Sequence, residues 1–235
     1  MKPGKLYGVG IGPGDPELIT LRAARVIRAC DVIFTVISAN VSQSVSENVV
    51  NSLTPSGRVI RLSFSMSRDR AVRDAVVAAN AQAVIDELAA GRDCAYTTLG
   101  DTLTYSTYGY ILTLVRKALP DVETETVPGV TSFATLAARG QAVLVENTDS
   151  LRVVPSFRAD MTESLTFEPG TSTILLKTYR SRHALIERLR HEPDIEVLYG
   201  ENLTMDGEFL SRDLDEIDTR PENYLALMLV RKKKA

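Results

Sequence analysis

Leu6-Tyr7-Gly8-Val9-Gly10-Ile11-Gly12-Pro13-Gly14-Asp15-Pro16 sets the pattern for the whole chain. A short apolar run passes into glycines at alternate positions. A proline, an aspartate and a second proline then lead into an amphipathic stretch. Alternating glycine lets a backbone approach a flat partner closely and adopt positive φ. The stretch looks like a dinucleotide-binding turn but fails its spacing. The third glycine of that fingerprint would fall on Pro13 or Asp15, and Pro13 has no N–H to offer a pyrophosphate. A strand therefore feeds a glycine-proline turn that serves a different ligand.

Strand and helix signals alternate outward from this turn. Leu6 to Gly10 is expected as a buried strand, and Asp15, Pro16 and Glu17 suit an N-cap and the first helical positions. Thr20 caps a predicted helix through Ala29. Further strands are expected at Val32 to Val36, Val59 to Leu62, Cys94 to Leu99 and Val122 to Val127. The apolar period predicts helices over Asp69 to Ala90, closed by Gly91, and over Tyr105 to Leu119, closed before Pro120. Strands separated by helices imply an α/β fold with a parallel, doubly wound sheet. Ligands in such sheets gather beyond the carboxyl ends of the strands. The turns at Gly8–Asp15 and Gly100-Asp101 both follow strands and are expected to line one crevice. Pro128-Gly129 marks a break, so residues 1–127 form a first domain and 128–235 a second. The second carries a helix from Thr131 to Arg139 and another from Ser181 to Arg190. Its expected strands are Arg152–Val154, Thr173–Lys177, Glu196–Gly200 and Tyr224–Val230, and Pro155 to Gly170 shows little pattern.

Composition narrows the function. The chain has 235 residues, 44% apolar and 24% charged, which is ordinary for a globular protein. A net charge of −3 argues against a dedicated nucleic-acid binder. Arg231-Lys232-Lys233-Lys234 is taken as a solvated tail. Cys30 and Cys94 lie far apart in apolar surroundings, without ligand or disulfide spacing. Neither His183 nor His191 neighbours a second ligand at metal spacing, so no protein-built metal site is expected. No apolar run reaches the roughly 18 residues of a membrane span, and the start lacks a signal-peptide apolar region. These features predict a cytoplasmic protein.

Three turns carry the chemistry: Gly8–Asp15, Leu99-Gly100-Asp101-Thr102-Leu103-Thr104-Tyr105-Ser106-Thr107-Tyr108, and Val127-Pro128-Gly129-Val130-Thr131-Ser132. In this order and spacing the chain resembles the tetrapyrrole methylase family over nearly its whole length. Leu6-Tyr7-Gly8, Met66-Ser67-Arg68-Asp69, Tyr105-Ser106-Thr107-Tyr108 and the final Tyr224 to Arg231 carry the likeness further. The resemblance implies two α/β domains, an N-terminal parallel doubly wound sheet and a C-terminal mixed sheet, in a homodimer. It implies S-adenosylmethionine in a cleft between the domains. It implies methyl transfer to C20 of precorrin-2 or cobalt-precorrin-2, in cobalamin synthesis. By the same resemblance Pro13, Gly100, Asp101, Thr102, Tyr105, Thr131, Ser132, Leu176, Lys177 and Leu225 match cofactor contacts. Gly12, Asp15, Arg68 and Tyr108 are the expected substrate contacts, with Tyr105 and Tyr108 on one helix face as walls for a macrocycle. Arg22 and Arg70 join Arg68 as candidates for the substrate carboxylates. No catalytic acid or base is identified.

Each of these residues also has a structural reading. Asp15 suits an N-cap, Asp101 a side-chain-closed turn, Thr131 and Ser132 helix capping, Arg68 a solvated helix start, and Lys177 a strand end. The chain also departs from the family pattern. Thr102 stands where the family turn has proline, and Ala142 where a proline often follows Gly140. Val36 stands where the uroporphyrinogen branch carries an aspartate, which argues against that branch. Two other readings keep the fold. One is a methylase with a different acceptor, and the other a non-catalytic member that binds a tetrapyrrole or a partner.

Overall fold

The computed structural model describes residues 2–38, 44–65, 67, 69–155 and 157–233. The chain divides into two compact units, Met1–Thr131 and Ser132–Ala235.

The first unit is a parallel sheet of five strands. They are β1 (Leu6–Gly10), β2 (Val32–Ser38), β3 (Arg58–Phe64), β4 (Cys94–Thr98) and β5 (Thr124–Val127), in the order β3-β2-β4-β1-β5. Every neighbouring pair is parallel. Helices α1 (Leu21–Ala29) and α2 (Val45–Ser52) cover one face, packing Val26, Ile27, Val49 and Val50 on Val9, Ile33 and Ala95. Helices α3 (Arg70–Ala89) and α4 (Tyr108–Ala118) cover the other, with Val84, Leu88 and Ile111 on Leu6, Phe34 and Tyr96. With both faces covered, the central strands β1 and β4 are buried almost throughout, while the edge strands β3 and β5 carry polar residues.

Local chemistry starts the helices where the sequence placed them. The side chains of Asp15, Thr20 and Asp69 each accept a backbone N–H of the turn that follows. Gly91 at φ 80° closes α3. Helix α2 was not expected. Its sequence, Val-Ser-Glu-Asn-Val-Val-Asn-Ser, has poor helix propensity, and it forms on the Ser44 cap and the burial of Val49 and Val50. Cys30 and Cys94 are buried free thiols, and burial, before nearby charges, pushes both up to about 12.

The second unit is a mixed sheet of β6 (Ser150–Val154), β7 (Thr171–Leu176), β8 (Ile195–Glu201), β9 (Phe209–Ser211) and β10 (Ala226–Lys232). The order is β6-β7-β10-β8-β9, with β6 and β7 parallel and the remaining pairs antiparallel. One face packs on α6 (Arg182–Arg190) and α7 (Leu214–Asp218), and the other on α5 (Ser132–Arg139) through Leu136. The weakly patterned stretch before β7 contributes Phe157, Leu165 and Phe167 to the core.

Arg231, Lys232 and Lys233 are not a solvated tail, and Lys234 lies outside the described residues. Arg231 and Lys232 belong to β10. Arg231 pairs with Asp149 at 2.9 Å, Lys232 with Glu192 at 2.9 Å and Lys233 with Glu196 at 3.2 Å. Among the described residues, no helix is long and apolar enough to cross a membrane.

Gly8 shows how tightly α4 seats on the sheet. A Cβ built there would lie 2.3 Å from the ring of Tyr108, the first residue of α4. The Tyr108 ring is fully buried and packs 5.7 Å from that of Tyr96. Gly8→Ala is expected to lower the unfolding free energy by about 1–3 kcal/mol through overpacking. Denaturant melts check this, and an unchanged midpoint would contradict the packing described.

Candidate functional site

Strands β1, β4 and β5 are neighbours, so the turns at their carboxyl ends emerge side by side. They are bonded to one another. Gly12 N–H donates to Gly100 O at 3.2 Å, and Gly100 N–H to Gly12 O at 2.7 Å. Gly12 and Gly100 both sit at φ +76°, the left-handed region where glycine alone is unstrained. The β5 turn lies across this pair. A Cβ on Gly129 would be 2.2 Å from Gly100 O and 2.9 Å from Gly10 Cα, while one on Gly10 would be 2.6 Å from Gly129 N. Three backbones cross here at a separation that no side chain fits.

Two side chains fasten the crossing. Asp101 Oδ2 accepts the Gly129 N–H at 3.1 Å. Its Oδ1 accepts Leu103 N–H at 3.1 Å and Thr104 Oγ1–H at 2.7 Å. Thr102 is fully buried, and its hydroxyl donates to Val127 O at 2.8 Å. Burial pushes the Asp101 carboxyl up. The hydrogen bonds from Thr104, Gly129, Leu103 and Thr102 outweigh burial and hold it below the usual aspartate value.

The structure brings Gly12, Gly100, Asp101 and Thr102 together and places Pro13 on the loop that follows. Asp15 serves as an N-cap, accepting Glu17 N–H at 2.8 Å. Thr131 ends the first unit and Ser132 begins the second. The two tyrosines do not share a helix face. Helix α4 starts at Tyr108, whose buried ring is part of the core and is no wall for a ligand. Tyr105 precedes the helix at φ 54° and is 53% exposed. Arg22 donates to Glu125 at 2.5 Å, so its guanidinium is already engaged. Arg68 lies outside the described residues, and Arg70 lies 3.5 Å from Asp74.

In the second unit, Leu176 ends β7 and pairs with Leu227. Lys177 follows in the left-handed region at φ 59°, its N–H donates to Ala226 O, and its ammonium stands 5.4 Å over the Tyr224 ring. Leu225 lies just before β10. Its N–H donates to Asn223 Oδ1 and its carbonyl accepts Asn202 N–H, so its side chain is what remains for a ligand. A buried ionic network, absent from the sequence reading, holds this segment. Arg182 donates to the carbonyls of Arg220 and Pro221, and Arg220 donates to the fully buried Glu201 at 2.9 Å. Tyr199 donates to the other oxygen of Glu201 at 2.6 Å, and its phenol is pushed up by burial first and then by that carboxylate. It joins three separate segments, at Arg182, at Tyr199 and Glu201, and at Arg220 and Pro221, so no local signal reveals it.

The model of the tetrapyrrole (corrin/porphyrin) methylases matches residues 5–218, a span that contains all three turns. The chain is a tetrapyrrole methylase. Over 234 residues this methylase is 34% identical to the cobalt-precorrin-2 C(20)-methyltransferase of Salmonella typhimurium, covering 98% of this chain and 97% of that one. It is 28% identical to the precorrin-2 C(20)-methyltransferase of a Sinorhizobium species, covering 97% and 95%. Among solved structures it is similar to the uroporphyrin-III C-methyltransferase of Thermus thermophilus complexed with S-adenosyl homocysteine. The TM-score is 0.67 at 22% identity, over 97% of this chain and 92% of that one.

A carboxyl whose native pKa lies below its unfolded value stabilises the fold above that unfolded value, about 3.9 for aspartate. The stabilisation fades as acid titrates the native group. The stability difference between the wild-type methylase and Asp101→Asn is therefore expected to be constant from pH 7 to about pH 5 and to shrink progressively below. Denaturant melts across this range check it. A difference that grows with acid would contradict the bonding at Asp101.

Proposed function

We propose that this chain is an S-adenosylmethionine-dependent methyltransferase that methylates C20 of precorrin-2 or cobalt-precorrin-2 in cobalamin biosynthesis. The observation that carries this is end-to-end likeness, 34% over 98% of the chain, to a relative named for that reaction.

The residues fit the cofactor. Where a Cβ of Gly100 would stand there is open space, the nearest atom being Val130 O at 3.9 Å. A ligand can therefore meet the backbone directly. No lysine or arginine falls within residues 8–15, 99–108 or 127–132, while Asp15 and Asp101 do. A local field without cationic side chains suits a sulfonium.

When bound, S-adenosylmethionine supplies a methyl that is already electrophilic. The acceptor is an electron-rich meso carbon that behaves like an enamine. What remains for the chain is to hold the two centres about 3–3.5 Å apart, in line, and to exclude water. The proposed cofactor contacts in the first unit are the backbones of Pro13, Gly100 and Thr131, with the exposed ring of Tyr105. Asp101 and Thr102 act from beneath through the turns they bond. The same reading assigns contacts to Ser132, Leu176, Lys177 and the Leu225 side chain. Gly12 and Asp15 are assigned to the substrate, with Arg68 as a partner for its carboxylates. The reading also makes the protein a cytoplasmic homodimer, an assignment that rests on family resemblance.

Incubation with S-adenosylmethionine and precorrin-2, with and without cobalt, tests the proposal. Mass spectrometry and NMR of the product are expected to show one added methyl, at C20. A methyl at another carbon would refute the acceptor assigned, and no transfer to either macrocycle would refute the reaction.

A further inference from the structure

The way two adjacent residues of one turn grip the next turn has a consequence for ligand binding. Thr102 Oγ1 reaches Val127 O at 2.8 Å, and Asp101 Oδ2 reaches Gly129 N at 3.1 Å. The gripped positions bracket Pro128, which has no N–H. Gly129 therefore supplies the only amide donor between Val127 and Val130, and Asp101 takes it. The other carboxylate oxygen is occupied by Leu103 N–H and Thr104 Oγ1–H within its own turn. Thr102 is held from its carbonyl side as well, where Ser106 Oγ donates to it. The Thr102 hydroxyl is thus engaged inside the protein, and both oxygens of the half-buried Asp101 carboxylate are engaged by the two turns. The β5 turn they hold is the one pressed onto Gly100 O, and Val130 O is the atom nearest the open side of Gly100.

We propose that Asp101 and Thr102 are positioning residues that latch the β4 turn to the β5 turn, setting the Gly129–Thr131 backbone against which S-adenosylmethionine binds. The inference deepens the proposed function and rests on it for the identity of the ligand. It also gives the departure at position 102 a physical meaning. Proline restrains a turn through its ring, whereas this threonine does so through a buried hydroxyl bonded to Val127 O. A carboxylate is required at 101, because an amide of the same shape would turn either an N–H₂ toward the Gly129 N–H or a donor toward Leu103 and Thr104.

Thr102→Ser, Thr102→Val and Asp101→Asn test this. Each is titrated with S-adenosylhomocysteine by calorimetry, while NMR follows hydrogen exchange at the Gly129 amide and thermal melts monitor folding. Thr102→Ser is expected to bind like wild type. Thr102→Val and Asp101→Asn are expected to bind about tenfold more weakly, as loss of one buried hydrogen bond implies. Their Gly129 amide is expected to exchange faster, and KM for S-adenosylmethionine to rise more than kcat falls. If Thr102→Val fails to fold, Asp101→Asn carries the same comparison. Variants that melt at lower temperature yet keep wild-type affinity and Gly129 protection would overturn the latch and leave the proposed function standing. A wild-type protein that binds no S-adenosylhomocysteine would overturn the cofactor reading, and Gly129 exchange in the variants would still decide the latch.

Discussion

Three backbone segments cross at Gly10, Gly100 and Gly129 with no room for a Cβ at two of them. Much of the first unit follows from that contact. Close crossing needs the parent strands β1, β4 and β5 to be adjacent and parallel, so that their carboxyl ends arrive together. It needs helices on both faces, because crossovers between parallel strands must cover the sheet. At Gly100 the position of a Cβ is open, with Val130 O the nearest atom at 3.9 Å.

The second unit fixes its candidate residues differently. There the backbone near Leu225 is held by buried charge. Glu201 receives Arg220 and Tyr199, and Arg182 clasps the carbonyls of Arg220 and Pro221. Breaking a buried ionic network by removing one member is costly, about 3–5 kcal/mol, because the remaining charge stays buried without its partner. Such a network resists rearrangement and holds the segment that precedes β10 in one course. Lys177, forced to positive φ between β7 and a short turn, is the other restrained point, its ammonium resting over the Tyr224 ring.

The sequence exposed whatever is locally encoded. Strand β1, the caps at Asp15 and Thr20, and the C-terminal glycine of α3 all depend on neighbours within a few residues, and all were legible. The three turns were legible as a set because glycine and proline punctuate them. What was missed depends on distant partners or marginal propensity. Helix α2 and the short elements β9 and α7 are brief and rely on caps and burial. Tyr105 and Tyr108 have helical spacing, but Thr107 offers no capping bond and Tyr105 turns left-handed before the helix begins. The basic end resembles a tail until Asp149, 82 residues away in sequence, is seen beside Arg231. Asp101 was legible as important, but its partner Gly129 lies 28 residues on, so its task was not.

In the proposed function the crossing of the three turns is the floor of a cofactor site. Amide shift mapping during titration with S-adenosylhomocysteine tests it most directly. Saturable shifts are expected, largest at Gly12, Gly100 and Gly129 to Thr131. Saturable binding that leaves those amides unmoved while others shift would contradict it.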